Sequence, residues 1–261
     1  MKKLQQIKSP FDDLETFILT KSDISSHIHI MYIQSAKESI EYKVVTCKAM
    51  TTEPNKLTDK KMDEILRLTL PIYFIIYFGL AFVLKSIIVA KRIGKNPLVL
   101  PKDDSAFVLI GLYFKLILIA MFIYVLVFAF FPTWYDKFLP IITLDNLTIK
   151  YIGLGILAVA LIWTIIAQGH MKNSWRIGID TETKTELITT GLFGLSRNPI
   201  FFGMILSLIG LFLTTPNALT GLFLILGYIL IQIQIRLEEE FLTKEHGQNY
   251  ETYKLKVRRL I

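Results

Sequence analysis

Five apolar segments dominate the sequence, at about residues 68–90, 107–131, 149–167, 199–213 and 218–235. Each of the first three is long enough to cross about 30 Å of hydrocarbon at a helical rise of about 1.5 Å per residue. A backbone in lipid has no water to bond, so a single apolar run that spans a membrane must satisfy its own amides as a helix. Composition agrees. Of the 261 residues, 52% are hydrophobic, and the mean hydropathy is +0.49, too apolar for an ordinary soluble domain. The expected fold is therefore an all-α integral membrane protein with about five transmembrane helices. The fourth segment is short, and only Thr214-Thr215-Pro216-Asn217 separates it from the fifth. So short a link makes the two antiparallel neighbours, a C-terminal helical hairpin.

Residues 1–66 are of different material, polar and mixed in charge, with Pro10, Pro54 and many Ser and Thr. Ile28, Ile30, Tyr32 and the run 42–46 have strand composition. This part is read as a polar N-terminal extension, and residues 67–261 as the transmembrane domain. The first ten residues are polar and no apolar core of a secretory signal follows them. A lone cysteine, Cys47, excludes an intrachain disulfide. His27, His29, His170 and His246 are too scattered for metal-ligand spacing, so no metal is expected.

The formal net charge is +7, yet the basic residues gather at the ends of apolar runs, which argues for membrane topology and against nucleic acid. Lys91, Arg92, Lys95 and Lys102 follow the first segment. Lys172, Arg176, Lys184 and Arg197 follow the third. Arg236, Lys244, Lys254, Lys256, Arg258 and Arg259 follow the fifth, whereas 132–148 holds only Lys137. This alternation places the C-terminus in the cytoplasm and the N-terminal region outside, against the pull of Lys56, Lys60, Lys61 and Arg67.

The chemistry-bearing residues cluster at one end of the hairpin. Arg197 lies just before the fourth segment, and Glu238 and Glu239 lie just after the fifth. Antiparallel packing brings a guanidinium and two carboxylates together at the membrane boundary, where ionisable groups mark a functional site. Simpler readings exist for each piece. Asn198-Pro199 is what a helix start requires, Asn as N-cap and Pro at the first helical position. Arg197 can mark the membrane edge, and Glu238 to Glu240 a solvated helix exit. Gly191, Gly194 and Gly203 can be turn and packing residues.

In order, the stretch reads Leu187-Ile188-Thr189-Thr190-Gly191-Leu192-Phe193, then Arg197-Asn198-Pro199-Ile200-Phe201-Phe202-Gly203. After the hairpin come Glu238-Glu239-Glu240-Phe241-Leu242 and His246-Gly247-Gln248-Asn249-Tyr250-Glu251-Thr252-Tyr253. This order and spacing resembles the C-terminal core of the isoprenylcysteine carboxyl methyltransferase and phospholipid methyltransferase superfamily. That core has a Leu-Val-Thr-x-Gly-Pro-Tyr-like approach, an Arg-His-Pro-x-Tyr-x-Gly hairpin start, a Glu-Glu-x-x-Leu exit and a Phe-Gly-x-x-Tyr-x-x-Tyr tail. The resemblance covers residues 147–259 and extends to Trp175 to Asp180. Asn198 stands where the family has His, Leu192-Phe193 where it has Pro-Tyr, and Phe201 where it has Tyr. Asn donates and accepts hydrogen bonds but carries no proton at neutral pH.

The resemblance implies S-adenosylmethionine as cofactor and a lipidic acceptor that enters from the bilayer. It implies a cofactor-binding core over residues 170–259. Leu187, Gly191, Asn198, Pro199, Gly203, Glu239 and Tyr250 are the expected cofactor contacts, and Arg197 and Glu238 the expected catalytic pair. The acceptor stays open between an isoprenylated cysteine carboxylate and a phospholipid amine. Two other functions stay open as well. One is an NADPH-dependent reductase, because membrane sterol reductases share the Arg-His-Pro and the Tyr-containing tail. The other is a non-catalytic membrane scaffold.

Overall fold

The computed structural model describes residues 4–8, 15–20, 29–34, 52–94, 106–171 and 186–261. The chain divides into two compact units, Met1–Lys60 and Lys61–Ile261. In the first, β1 (Leu4–Lys8), β2 (Glu15–Thr20) and β3 (His29–Gln34) form an antiparallel sheet in that order. Its register sets Ile7 opposite Thr16 and Phe17 opposite Tyr32. Ile30 and Tyr32, read from the sequence as strand residues, lie in β3. Ile28 and the run 42–46 lie outside the described residues.

The second unit is helical. It begins within α1 (Thr52–Phe78), which continues through a π-helical turn at Gly79–Leu84 into α2 (Lys85–Ile93). Buried Met62, Leu66, Leu70, Phe74, Tyr77 and Ala81 form one stripe at spacings of three and four along this rod. Pro71 has no N–H to offer the preceding turn. The rod ends at Gly94, whose left-handed backbone (φ 69°) lets its N–H reach the Ala90 carbonyl at 2.9 Å. The π turn has a tertiary cause. Gln168 donates from its side chain to the Ala81 carbonyl at 2.8 Å and accepts at its own backbone carbonyl from Lys85 Nζ at 2.7 Å. A widened turn inside an apolar helix needs such a donor, because lipid provides none.

The remaining helices are α3 (Ala106–Phe130), α4 (Leu147–Met171), α5 (Pro199–Thr214), α6 (Ala218–His246) and α7 (Gln248–Lys256). Four spans, Lys60–Arg92, Ala106–Phe130, Leu147–Met171 and Ala218–His246, are long and apolar enough to cross a membrane, and the shorter apolar α5 accompanies them. The protein is an integral membrane protein built on the five apolar helices that the sequence announces. Residues Leu109, Leu112, Leu116, Ile119 and Ile123 of α3 are exposed at helical spacing, the outer face that a lipid solvent accepts.

Close helix packing holds the bundle together. A Cβ on Gly210 would meet the Leu157 side chain at 2.7 Å, and one on Gly153 would meet Thr214 at 2.8 Å. The glycines therefore set how near α4 and α5 approach, as small residues do between membrane helices. Thr215-Pro216-Asn217 turns α5 into α6. Asn217 Oδ1 accepts from the Thr220 N–H at 3.0 Å, Thr220 Oγ1 accepts from the Asn217 N–H at 3.2 Å, and Asn217 Nδ2 reaches the Tyr124 hydroxyl at 2.8 Å. The reciprocal pair is a capping box at a fully buried turn.

At this same end Lys150, nearly buried, makes ion pairs with Asp63 of α1 at 2.7 Å and Asp145 at 2.6 Å. The pairs fasten α1 to the start of α4. Replacing Asn217 with Ala removes the cap and the Tyr124 partner together. A loss of about 1–2 kcal/mol is expected, read as a lowered midpoint in thermal unfolding of detergent-purified protein.

Candidate functional site

The site lies at the opposite end of the hairpin, where α5 begins and α6 finishes. The chain approaches it through a 3-10 turn, Gly191–Gly194. Gly191 has a left-handed backbone (φ 65°), and a Cβ there would strike the His170 ring at 2.6 Å. His170 Nδ1 in turn accepts from the Leu192 N–H at 3.5 Å. Glycine is thus required at 191 both by backbone conformation and by the imidazole beneath it.

Asn198 occupies the N-cap position of α5 and Pro199 the first helical position, as the sequence indicates. The Asn198 side chain does not cap the helix, however. Its Nδ2 donates to the Glu239 carboxylate at 3.3 Å and to the Arg259 carbonyl at 3.0 Å. Pro199 is buried, and its carbonyl accepts from Trp163 Nε1 at 2.8 Å, which anchors the start of α5 on α4. Gly203 lies one turn on, against Thr164 and Trp163, where any side chain would collide. It serves the α4–α5 contact.

Arg197 is the centre of the polar network. Its Nε and Nη2 donate to Glu239 Oε1 at 3.1 and 2.9 Å. Its Nη1 donates to the carbonyls of Lys254 and Val257 at 3.0 and 2.8 Å, and its backbone N–H donates to the Arg258 carbonyl at 2.9 Å. One guanidinium therefore ties α6, α7 and the C-terminal tail to the start of α5, using the planar fork that lysine lacks. Its side chain is only 9% exposed.

The sequence brings Glu238 and Glu239 equally to this place, but the structure gives them different surroundings. Glu239 is buried and continues the α6 stripe Gly227, Ile231, Ile235, Glu239 at a spacing of four. Its Oε2 accepts from Arg259 Nε at 3.0 Å and pairs with Arg259 Nη2 at an ion-pair distance of 2.8 Å. The carboxylate is thus shared between two guanidiniums. Glu238 is rotated about 100° around the helix. It is partly exposed and makes no hydrogen bond or ion pair among the described residues.

Gly247 (φ 53°) breaks α6 and lets α7 turn back. Tyr250 and Tyr253 of α7 are buried, ring against ring at 5.9 Å in a T-shaped pair. Burial, with the Glu239 carboxylate nearby, raises the Tyr250 hydroxyl well above its usual range. The Tyr253 hydroxyl is pushed up to about 12, chiefly by burial. It stays protonated and donates to the Phe193 carbonyl at 2.5 Å, closing α7 over the 3-10 turn. The Glu239 carboxylate likewise pushes the Arg259 guanidinium further up.

Arg236, Glu239, Glu240, Thr243, Lys244, Lys254 and Arg259 line an open cleft of about 330 Å³. Of the residues expected from the sequence, Arg197, Asn198 and Glu239 meet in one network, and Tyr250 packs beside it. Gly191 and Pro199 shape the segment and helix that carry it. Leu187 is partly exposed and Glu238 stands outside the cleft lining. Trp175 to Asp180 lie outside the described residues. Arg259, Tyr253 and His170 were not singled out. The Tyr250–Tyr253 spacing followed by Arg258-Arg259 is the signal that points to the first two; read alone, the arginines resemble an ordinary membrane-edge pair.

No curated protein matches this chain. The region that carries the site does match a known family: residues 149–249, fewer than half of the chain, match the family model described as phospholipid methyltransferase, consistent with the superfamily that the hairpin motifs resemble.

Proposed function

We propose that the protein transfers a methyl group from S-adenosylmethionine to a membrane-embedded or lipidic acceptor, isoprenylcysteine carboxylate-like or phospholipid-like. The observation that carries the proposal is the buried Glu239 carboxylate, held by Arg197 and Asn198 beside an open cleft, within the region matching a methyltransferase family. The donor set suits the cofactor. Glu239 is the counter-charge for its ammonium, and Lys254 on the same cleft suits its carboxylate. The buried Tyr250 and Tyr253 offer faces for the positive sulfonium and the adenine. When bound, S-adenosylmethionine supplies a methyl group activated by positive sulfur.

The chain's own residues then have distinct roles. Arg197 is fully engaged by Glu239 and three tail carbonyls, which makes it a positioning residue that aligns Glu239 and the tail. Glu238, without a partner among the described residues, is the carboxylate free to orient an acceptor or take its proton. Asn198 stands in for the family His as a hydrogen-bond donor. Within the bundle, Tyr73, Phe114, Met121, Met204, Leu230 and Ile231 help to line an apolar pocket between α1, α3, α5 and α6, which suits a hydrocarbon chain. The basic residues at this end of the helices support a cytoplasmic site.

Two measurements test the reading. Calorimetry on detergent-purified protein is expected to show binding of S-adenosylmethionine, lost in Glu239→Gln, a variant that keeps the side-chain shape. Binding of NADPH alone, or of neither, sinks the assignment. Glu238→Gln is expected to lower methyl transfer to a lipid acceptor on the order of a hundredfold with cofactor affinity unchanged; an undiminished rate removes Glu238 from the reaction.

A further inference from the structure

Glu239 has no acceptor capacity to spare. Oε1 takes Arg197 Nε, Arg197 Nη2 and Asn198 Nδ2, and Oε2 takes Arg259 Nε with Arg259 Nη2 at ion-pair distance beside it. A carboxylate offers about four lone-pair sites, so a ligand cation can reach it only by displacing a partner. The two guanidiniums are not equivalent in this respect. Arg197 is 9% exposed and also holds three backbone carbonyls, whereas the Arg259 side chain is 41% exposed and lines the cleft.

Among the described residues, the Arg259 side chain bonds to Glu239 alone. Its backbone is separately held, because the Arg259 carbonyl accepts from Asn198 Nδ2 at 3.0 Å and Ser196 Oγ at 3.4 Å. The guanidinium is therefore free to exchange while the tail stays in place. Arg259 lies ten residues beyond the end of the family match.

We propose that Arg259 is a side-chain gate that occupies, on Glu239 Oε2, the position a ligand's ammonium group takes when it enters the cleft. The proposal rests on the S-adenosylmethionine reading above and adds that cofactor entry and the Arg259–Glu239 pair exclude each other. The gate keeps a buried carboxylate neutralised when no ligand is present, a state in which an unpaired charge is costly. Its partly exposed position keeps the exchange cheap, since solvent stabilises the released guanidinium.

The test compares S-adenosylhomocysteine with methylthioadenosine, which shares the adenosyl thioether but has no ammonium or carboxylate. Both are titrated calorimetrically into the full detergent-purified chain. In Arg259→Ala, S-adenosylhomocysteine is expected to bind about fivefold tighter, methylthioadenosine to bind unchanged, and the thermal midpoint to fall. Tighter binding by a less stable variant is opposite to what a purely structural role gives. Arg259→Lys, with a cation but no fork, is expected to lie between and carries the test if the alanine variant does not fold. Unchanged or weaker binding of S-adenosylhomocysteine to these variants, with wild-type binding intact, overturns the gate alone. An equal gain for both ligands overturns it too. No binding by wild type or variants removes the cofactor reading and the gate with it.

Discussion

The C-terminal half of the membrane unit depends on a single carboxylate. Glu239 receives donors from the start of α5, through Arg197 and Asn198, and from the tail, through Arg259. Without it, two guanidiniums and an amide would face each other at the end of an apolar hairpin with no negative partner. Breaking such a buried arrangement by removing one member typically costs about 3–5 kcal/mol. The same group therefore serves architecture and chemistry. It fixes where α7 and the tail lie, and among the described residues it provides the only buried negative charge facing the cleft.

The bundle carries a second polar cluster at its other end, and the contrast is instructive. Lys150 is held by Asp63 and Asp145, and the hairpin turn is closed by Asn217, Thr220 and Tyr124. There each contact joins one helix to the next and accounts for a helix end or a crossing. The Arg197–Glu239 network does more than that. It diverts Asn198 from its capping duty and gathers main-chain carbonyls from the end of α7 and the tail onto one guanidinium. A polar network that breaks a local rule in this way marks a place where function, and not only packing, has shaped the sequence.

Much of this was legible beforehand because the membrane simplifies the reading. The apolar runs and the four-residue link gave the helices and the hairpin, and the ends of the hairpin gave the meeting of Arg197 with the carboxylates. Which carboxylate it meets follows only from the phase of α6 in the fold. Glu239 continues Ile231 and Ile235 at a spacing of four, and Glu238 does not. The π turn was not legible from the apolar run that contains it, because its cause, Gln168, lies 87 residues away. Nor was the role of Arg259. A basic residue near a membrane edge looks alike whether it faces water or a buried acid, and only the folded path of α7 separates the two.

Arg197 and Arg259 present the same chemical group to the same carboxylate, and burial alone divides their labour. Arg197, nearly enclosed and with each of its three nitrogens engaged, cannot leave without stranding Glu239 and two tail carbonyls. Arg259 lies on a tail whose backbone is already pinned, so its departure exposes one oxygen and nothing else. A site made of two equally buried arginines would be rigid and closed to cations. One made of two exposed arginines would leave a carboxylate solvated and poorly aimed. The asymmetry gives Glu239 a fixed direction from one side and an exchangeable partner on the other, which is what a binding group at a membrane surface requires when its ligand comes from water and its acceptor from lipid.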